Sequence, residues 1–180
     1  MKKLLIVVDY QVDFVSGSLG FPGAEALDGP IAARIAAYRA AGDDVAFTLD
    51  THGPDYAGTQ EGRKLPVPHC LRDTEGWALY GETGKALRPG DPVFEKETFP
   101  SLDLADWLRD KDYAAVELCG LVSNICVLSN AVMVKAALPQ AELTVDARLT
   151  AGADQDLHQK ALDVLEGIHV TVTGREKEPT

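Results

Sequence analysis

Three side chains that could share one reaction stand at the ends of apolar runs in this sequence. Asp9 follows the run Leu4–Val8, Lys96 ends a weaker run, and Cys126 lies near the start of an apolar helical segment. The first-turn amides and the dipole of a helix stabilise a thiolate, and a nearby ammonium lowers the pKa of a thiol further. A carboxylate beside them could take the thiol proton and return it to a leaving group. Together the three residues indicate nucleophilic catalysis by a cysteine.

Each of these residues also has an ordinary structural interpretation. A free cysteine in an apolar helix is usually a small buried hydrophobe, and an aspartate after a strand is usually a turn or cap residue. Cys119 lies inside a predicted strand and is interpreted as part of the core. The catalytic interpretation therefore depends on whether Asp9, Lys96 and Cys126 converge in space.

A second group of polar side chains lies in the stretch LDTHGPDYAGTQEGRKLPVPHC. Asp50 and His52 are two residues apart, and Glu61 and His69 follow them. Two imidazoles and two carboxylates suit one divalent metal ion, with zinc as the first choice and manganese or iron as alternatives. No Cys-x-x-Cys pair is present, which excludes a thiolate-rich structural zinc site. The alternative is a polar loop that holds two unrelated histidines.

Short apolar runs alternate with segments of helical spacing along most of the chain. The predicted strands are Leu4–Val8, Val45–Leu49, Pro92–Lys96, Ala114–Cys119, Leu143–Val145 and Ile168–Val172. The predicted helices are Ile31–Ala40, the segment from Ser101 to Leu108, Ile125–Ala137 and Asp156–Leu165. This alternation predicts a three-layer α/β fold, in which helices cover both faces of a parallel sheet. Ligands bind beyond the carboxyl ends of the strands in such sheets, which is where Asp9 is expected.

Two long segments do not follow the alternation. Residues 15–29 are rich in glycine, and residues 51–88 carry many Gly and Pro residues, two histidines and a cysteine. A loop as long as the second is usually functional or disordered in a compact domain, and its composition favours function. His158 and His169 have no comparable neighbours and are predicted to lie at the surface or at an edge.

Composition and charge narrow the class of protein. Seventeen Lys and Arg against 28 Asp and Glu give a formal charge of -11, which argues against nucleic acid or a membrane as partner. Three cysteines do not make a disulfide framework and favour a reducing cytoplasm. No apolar stretch approaches the length of a membrane span. We expect a single domain over residues 1–174, followed by a loose tail over residues 175–180.

Three separated segments resemble the cysteine hydrolases of the isochorismatase-like superfamily. They are VVDYQVDF, FEKETFPS and CGLVSNICVLSNAV. The loop that carries DTH, TQEG and LPVPHC is similar to that of the nicotinamidases within this superfamily. The resemblance extends from about residue 4 to residue 147, and the segments occur in the family's order. It implies a Rossmann-like fold with a six-stranded parallel sheet and helices on both faces.

The resemblance also implies a catalytic triad of Asp9, Lys96 and Cys126. Asp9 would act as general base and then as general acid, Lys96 would favour the thiolate, and Cys126 would attack a carbonyl carbon. The peptide bond between Leu121 and Val122 would be cis. The N–H groups of Val122 and Cys126 would form an oxyanion hole.

A bound metal and a substrate pocket follow from the same resemblance. The metal ligands would be Asp50, His52, Glu61 and His69. In nicotinamidases the pyridine nitrogen of the substrate reaches this metal. Phe14, Leu121 and Phe99 are expected to bind the substrate, and Gln11 is expected to organise the loop.

The activity that the resemblance implies is hydrolysis of nicotinamide to nicotinate and ammonia through a thioester, a reaction of NAD salvage. One alternative is another amidase of the superfamily, acting on a carbamoyl or ureido compound. A second is a non-catalytic binding protein on the same fold. Isochorismatase activity itself would leave the polar loop unexplained. A small-molecule amide is the expected partner, and a homo-oligomer is left open.

Overall fold

One sheet of six parallel strands organises residues 2–175, the part of the chain that the computed structural model describes. The strands are β1 (Lys3–Val8), β2 (Asp44–Asp50), β3 (Val93–Lys96), β4 (Ala115–Leu121), β5 (Glu142–Ala151) and β6 (Thr171–Thr173). Their order across the sheet is β3-β2-β1-β4-β5-β6, which is Rossmann-like. The predicted fold class is confirmed. Apart from residue 175, the predicted tail lies outside the described residues.

Seven α-helices are found in the described residues. They are α1 (Val12–Val15), α2 (Asp28–Ala40), α3 (Gln60–Lys64), α4 (Gly81–Lys85), α5 (Leu102–Arg109), α6 (Leu128–Ala137) and α7 (Gln155–Gly167). Ser101 caps α5 and Asp154 caps α7, since each side chain accepts a hydrogen bond from the amide three residues later. None of the helices within residues 2–175 combines the length and the apolar character that a bilayer crossing needs.

The central strand β1 is buried on both of its faces, which explains its continuous apolar sequence. Leu4, Ile6 and Val8 pack in a cluster with side chains of α5, α6 and α7. Leu5 and Val7 point to the opposite face and pack in a second cluster with α1 and α2. Because side chains of a strand alternate between the two faces, both layers of helices depend on this one strand.

Two strand boundaries differ from the sequence predictions by more than two residues. β5 extends from Glu142 to Ala151, well beyond the predicted run Leu143–Val145, because its buried Asp146 pairs with Arg34 of α2 and with Arg148 of the same strand. The last strand begins only at Thr171, because α7 continues to Gly167 and His169 adopts a left-handed conformation with φ of 67°.

Because the strands are parallel, the carboxyl ends of β1, β2, β3 and β4 lie at one edge of the sheet. The chain leaves β1 and β4, which are neighbours, toward opposite faces, and this opens a crevice beyond their carboxyl ends. Asp9 follows β1 directly. Asp50 and Lys96, the last residues of β2 and β3, are paired in register.

Gly120 permits β4 to approach β1 closely at this edge. Its φ is 106°, and a Cβ built on it would lie 2.0 Å from the carbonyl oxygen of Val8. Both the left-handed conformation and the contact with backbone exclude other residues.

Gly120→Ala should lower the free energy of unfolding by about 2 kcal/mol or more, since the backbone of β1 has to shift as well as the strained residue. Urea denaturation measures this. Gly29→Ala is the matched control, because a Cβ at Gly29 in α2 meets no atom within 4 Å. Alanine also favours the helix, so the control should be neutral or slightly stabilising. Equal losses in the two variants would contradict the close approach.

Candidate active site

Asp9, Lys96 and Cys126 meet at the carboxyl edge of the sheet. Lys96 Nζ lies 2.6 Å from Asp9 Oδ2 and 3.7 Å from Cys126 Sγ. The contact with Asp9 is a close, buried ion pair. All three residues are buried, and Asp9 is completely so. The three segments therefore converge, which is the geometry that the catalytic interpretation needs.

Burial and the ammonium of Lys96 act in opposite directions on the pKa values of Asp9 and Cys126. Burial raises the pKa of the Asp9 carboxyl and raises that of the Cys126 thiol well above its usual value, while Lys96 opposes both shifts. Burial also lowers the pKa of Lys96, but the facing Asp9, Cys126 and Asp50 raise it more. Asp9 and Cys126 thus share one ammonium, and burial favours the protonated form of both groups. The helix position and Lys96 favour the thiolate whereas burial favours the thiol, so the thiolate stays a prediction.

Cys126 lies in a π-helical turn, Ser123–Val127, which leads from β4 into α6. Such wide turns are frequent at functional sites. The amides on either side of Cys126 both donate to the carbonyl of Val122, each at 3.2 Å. The Leu121–Val122 peptide bond is cis, as the resemblance implied. The turn thus wraps around the Val122 carbonyl, with the Cys126 sulfur near Lys96.

Two polar residues that the sequence analysis did not single out hold this cluster in place. Thr48 Oγ1 donates to Asp9 Oδ1 at 2.6 Å. Asn130 Nδ2 donates to the carbonyl of Cys126 at 2.8 Å, and its Oδ1 accepts from the amide of Ser101 at 3.1 Å. A buried asparagine in an otherwise apolar helix was the available signal, because a buried amide requires partners.

His158 is buried, and its prediction as a surface residue is wrong. Its Nδ1 lies 2.8 Å from Ser123 Oγ, at the start of the turn that carries Cys126. Burial lowers the pKa of this imidazole. The helical spacing of the buried residues of α7 was the missed signal. They are His158, Ala161, Leu162 and Leu165. His169, in contrast, is exposed.

Asp50, His52 and His69 form a group that could hold a metal ion. Their ligand atoms all lie within 4.8 Å of one another. His52 Nε2 and His69 Nε2 lie 3.0 and 3.2 Å from Asp50 Oδ2. His69 Nδ1 lies 2.8 Å from the carbonyl oxygen of Val67, which fits the tautomer that leaves Nε2 available for a metal. Imidazole and carboxylate donors at this spacing fit a divalent ion such as zinc.

Glu61 approaches the same two imidazoles from α3. Its Oε1 lies 3.5 Å from His69 Nε2 and 3.8 Å from His52 Nε2. Burial raises the pKa of Glu61. Burial acts on Asp50 in the same sense, but the hydrogen bonds from the two histidines hold the pKa of Asp50 well below its usual range. The role of Glu61 as a fourth ligand stays a prediction, since it stands outside the tight group of three.

A pocket of about 190 Å³ joins the thiol to this polar group. Its lining residues are Phe14, Leu19, Asp50, Glu61, Leu65, His69, Phe99, Val122, Ile125 and Cys126. The walls are largely apolar, and the polar lining residues Asp50, Glu61 and His69 lie together. Leu121 does not line the pocket, because it is fully buried in the core beneath it, and Val122 takes that position. A larger cleft of about 460 Å³ lies at the amino ends of β2 and β3, far from these residues.

Lys96→Met should lower the free energy of unfolding by about 3 kcal/mol, because Asp9 and Asp50 would lose their buried counter-charge. Denaturant titration at neutral pH measures the loss. Lys160→Met, which removes the exposed ion pair with Asp156 on α7, is the matched control and should change stability by no more than about 0.5 kcal/mol. A Lys96 variant as stable as this control would contradict the buried ion pair.

Comparisons with known proteins show the family to which the chain belongs. The model of the isochorismatase domain family matches residues 3–177. A nicotinamidase/pyrazinamidase from Mycobacterium tuberculosis is 29% identical over 180 residues, covering 89% of this chain and 92% of the relative. The crystal structure of nicotinamidase/pyrazinamidase PncA from Bacillus subtilis has a TM-score of 0.83 at 30% identity, over 96% of this chain and 100% of that one. N-carbamoylsarcosine amidase from Thermoplasma acidophilum has a TM-score of 0.79 at 27% identity, over 99% and 100%. The chain belongs to the isochorismatase family of hydrolases.

Proposed function

We propose that this protein is an amide hydrolase that converts nicotinamide to nicotinate and ammonia, with Cys126 as nucleophile. The observation that carries the proposal is that one pocket is lined both by Cys126 and by Asp50 and His69 of the candidate metal group. A flat, apolar ring with one polar ring atom and one amide substituent fits a cavity with apolar walls, polar side chains and a nucleophile. The small volume of the pocket, about 190 Å³, favours a substrate of about the size of nicotinamide.

The first half of the reaction transfers the acyl group to the cysteine. The Cys126 sulfur attacks the amide carbon while its proton passes to the Asp9 carboxylate. The N–H groups of Val122 and Cys126 are proposed to stabilise the oxyanion that develops. Asp9 then returns the proton to the departing nitrogen as the carbon–nitrogen bond breaks. The products of this half are ammonia and a thioester on Cys126.

The second half releases the acid. Asp9 takes a proton from water as the water oxygen attacks the thioester carbon. The carbon–sulfur bond breaks, and the sulfur recovers the proton from Asp9. Burial raises the pKa of Asp9 and so increases its proton affinity, which suits a group that accepts and donates a proton in each half. Lys96 stays protonated throughout and compensates the negative charge as it moves between Asp9 and Cys126.

The other end of the pocket is proposed to orient the ring. A divalent metal ion held by Asp50, His52, His69 and Glu61 would supply a Lewis-acid contact for the pyridine nitrogen. Phe14 packs against the His69 ring, with centroids 5.6 Å apart, so an aromatic face borders the proposed metal ligands.

A second candidate is an amidase of carbamoyl compounds. The likeness to N-carbamoylsarcosine amidase favours it, since that protein shares the fold over nearly the whole chain. The cysteine chemistry would be the same for both substrates. The apolar walls of the pocket favour the aromatic amide, because a carbamoyl amino acid would bring a charged carboxylate to them.

The purified protein should release ammonia from nicotinamide, and Cys126→Ala should retain less than about 1% of that activity, because no other group can carry the acyl intermediate. A coupled assay for ammonia measures both. Cys70→Ala is the matched control, since this cysteine is also buried but lines neither the pocket nor the cluster. Its turnover per folded molecule should equal that of the unmodified protein.

Two outcomes would overturn parts of this proposal. Cys126-dependent ammonia release from N-carbamoylsarcosine, with none from nicotinamide, would transfer the assignment to the second candidate. Ammonia release that survives in Cys126→Ala would remove the nucleophile from the mechanism.

His52→Asn should reduce zinc affinity strongly, because it removes one imidazole from a small group of ligands. Competition with a chromophoric zinc chelator measures the affinity. His169→Asn is the control, since that histidine is exposed and its left-handed backbone tolerates asparagine. Equal zinc affinity in the two variants would contradict the metal assignment.

A further inference from the structure

We propose that Gln11 is a positioning residue that fixes Asp50, and so ties the metal-binding group to the catalytic cluster. The inference rests on the proposed metal role of Asp50. It concerns a side chain that touches neither the proposed metal ligand atoms nor the reacting groups.

The side-chain amide of Gln11 pairs with both backbone groups of Asp50. Its Oε1 accepts from the Asp50 amide at 2.8 Å, and its Nε2 donates to the Asp50 carbonyl at 2.9 Å. A neighbouring strand would make the same two contacts in a parallel sheet. Gln11 is fully buried, so these bonds are made without competition from water.

The path of the chain after β1 creates the need for this pairing. β1 stays beside β2 as far as Asp9, whose amide donates to the Thr48 carbonyl at 3.2 Å. Asp9 then turns away with a left-handed φ of 46°. Asp50 is the next residue of β2 whose backbone groups face β1, because alternate residues of a strand bond to opposite neighbours. Without Gln11 both of these buried groups would lack a partner.

The same side chain anchors the loop that follows the metal-binding group. Gln11 Nε2 also donates to the carbonyl of Trp77 at 2.8 Å, and its backbone forms a bridge with Leu79. Gln11 is therefore held by β2 on one side and by the loop on the other. This double attachment holds the Asp50 backbone in one position.

The position of Asp50 matters because its carboxylate is shared. Oδ1 lies 3.3 Å from Lys96 Nζ, and Oδ2 lies 3.0 Å from His52 Nε2 and 3.2 Å from His69 Nε2. A displacement of the Asp50 backbone would disturb all of these contacts together. Gln11 is joined to the catalytic cluster directly as well, since its amide donates to the Asp9 carbonyl at 2.8 Å.

Gln11→Leu removes every side-chain hydrogen bond of this residue at nearly constant volume. We expect the dissociation constant for zinc to rise by about 10- to 100-fold, the range typical of residues that orient metal ligands. Gln11→Glu keeps an acceptor for the Asp50 amide but places its second oxygen against the carbonyls of Asp50 and Trp77. It should weaken zinc binding as well, which covers the case that the leucine variant fails to fold.

Tyr10→Phe is the matched control for a general loss of stability. It alters the adjacent, fully buried residue and removes one buried hydrogen bond, from Tyr10 Oη to the carbonyl of Ala24 at 2.8 Å, without touching Asp50. Zinc alone is titrated against a chromophoric chelator, and folding is checked by circular dichroism. The control should bind zinc within about twofold of the unmodified protein.

The outcomes separate this inference from the function on which it rests. Weaker zinc binding in both folded Gln11 variants, with Tyr10→Phe unchanged, supports it. Unchanged zinc binding in the Gln11 variants, or an equal loss in Tyr10→Phe, overturns it while the amidase proposal stands. An unmodified protein that releases ammonia from nicotinamide but binds no zinc would overturn it together with the metal assignment.

Discussion

The ammonium of Lys96 is the charge around which the candidate site is arranged. It lies within 4 Å of two carboxylates and a thiol, all of them buried. Buried charges are stable only when they are paired closely, and the removal of one partner leaves an uncompensated ion. The sheet provides the pairing, because Asp50 and Lys96 are register partners on β2 and β3. The strands thus hold the opposite charges close together. Two side chains that were not held in this way would lose more entropy on pairing.

Asp50 connects the two functional parts of the site through its two oxygens. One faces the ammonium of Lys96 and the other faces the imidazoles of His52 and His69. The negative charge that a divalent ion would need is therefore also part of the electrostatic balance at the cysteine. Asp50 and Cys126 line the same pocket. Both backbone groups of Asp50 are bound by the side chain of Gln11, which suits a residue with two roles.

The family assignment by itself does not identify the substrate of this protein. Members compared with this chain include proteins named for nicotinamide, pyrazinamide and carbamoyl compounds. In the proposed mechanism the cysteine chemistry would be the same for these substrates, so substrate choice would depend on the pocket walls. In this chain the apolar part of those walls lies outside the strands and consists of Phe14, Leu19, Leu65, Phe99, Val122 and Ile125. The proposed catalytic residues Asp9 and Lys96 and the apolar walls therefore belong to different parts of the chain.

The sequence by itself determined the sheet, its burial on both faces and the placement of reactive residues at strand ends, because these follow from local apolar runs and their spacing. It did not determine that His158 is buried, that Val122 rather than Leu121 lines the pocket, or that burial raises the pKa of the Cys126 thiol. It also gave no sign that Gln11 would complete the pairing of β2. Each of these depends on which distant segments pack together, since register, burial and the balance of charge arise only when the chain is folded.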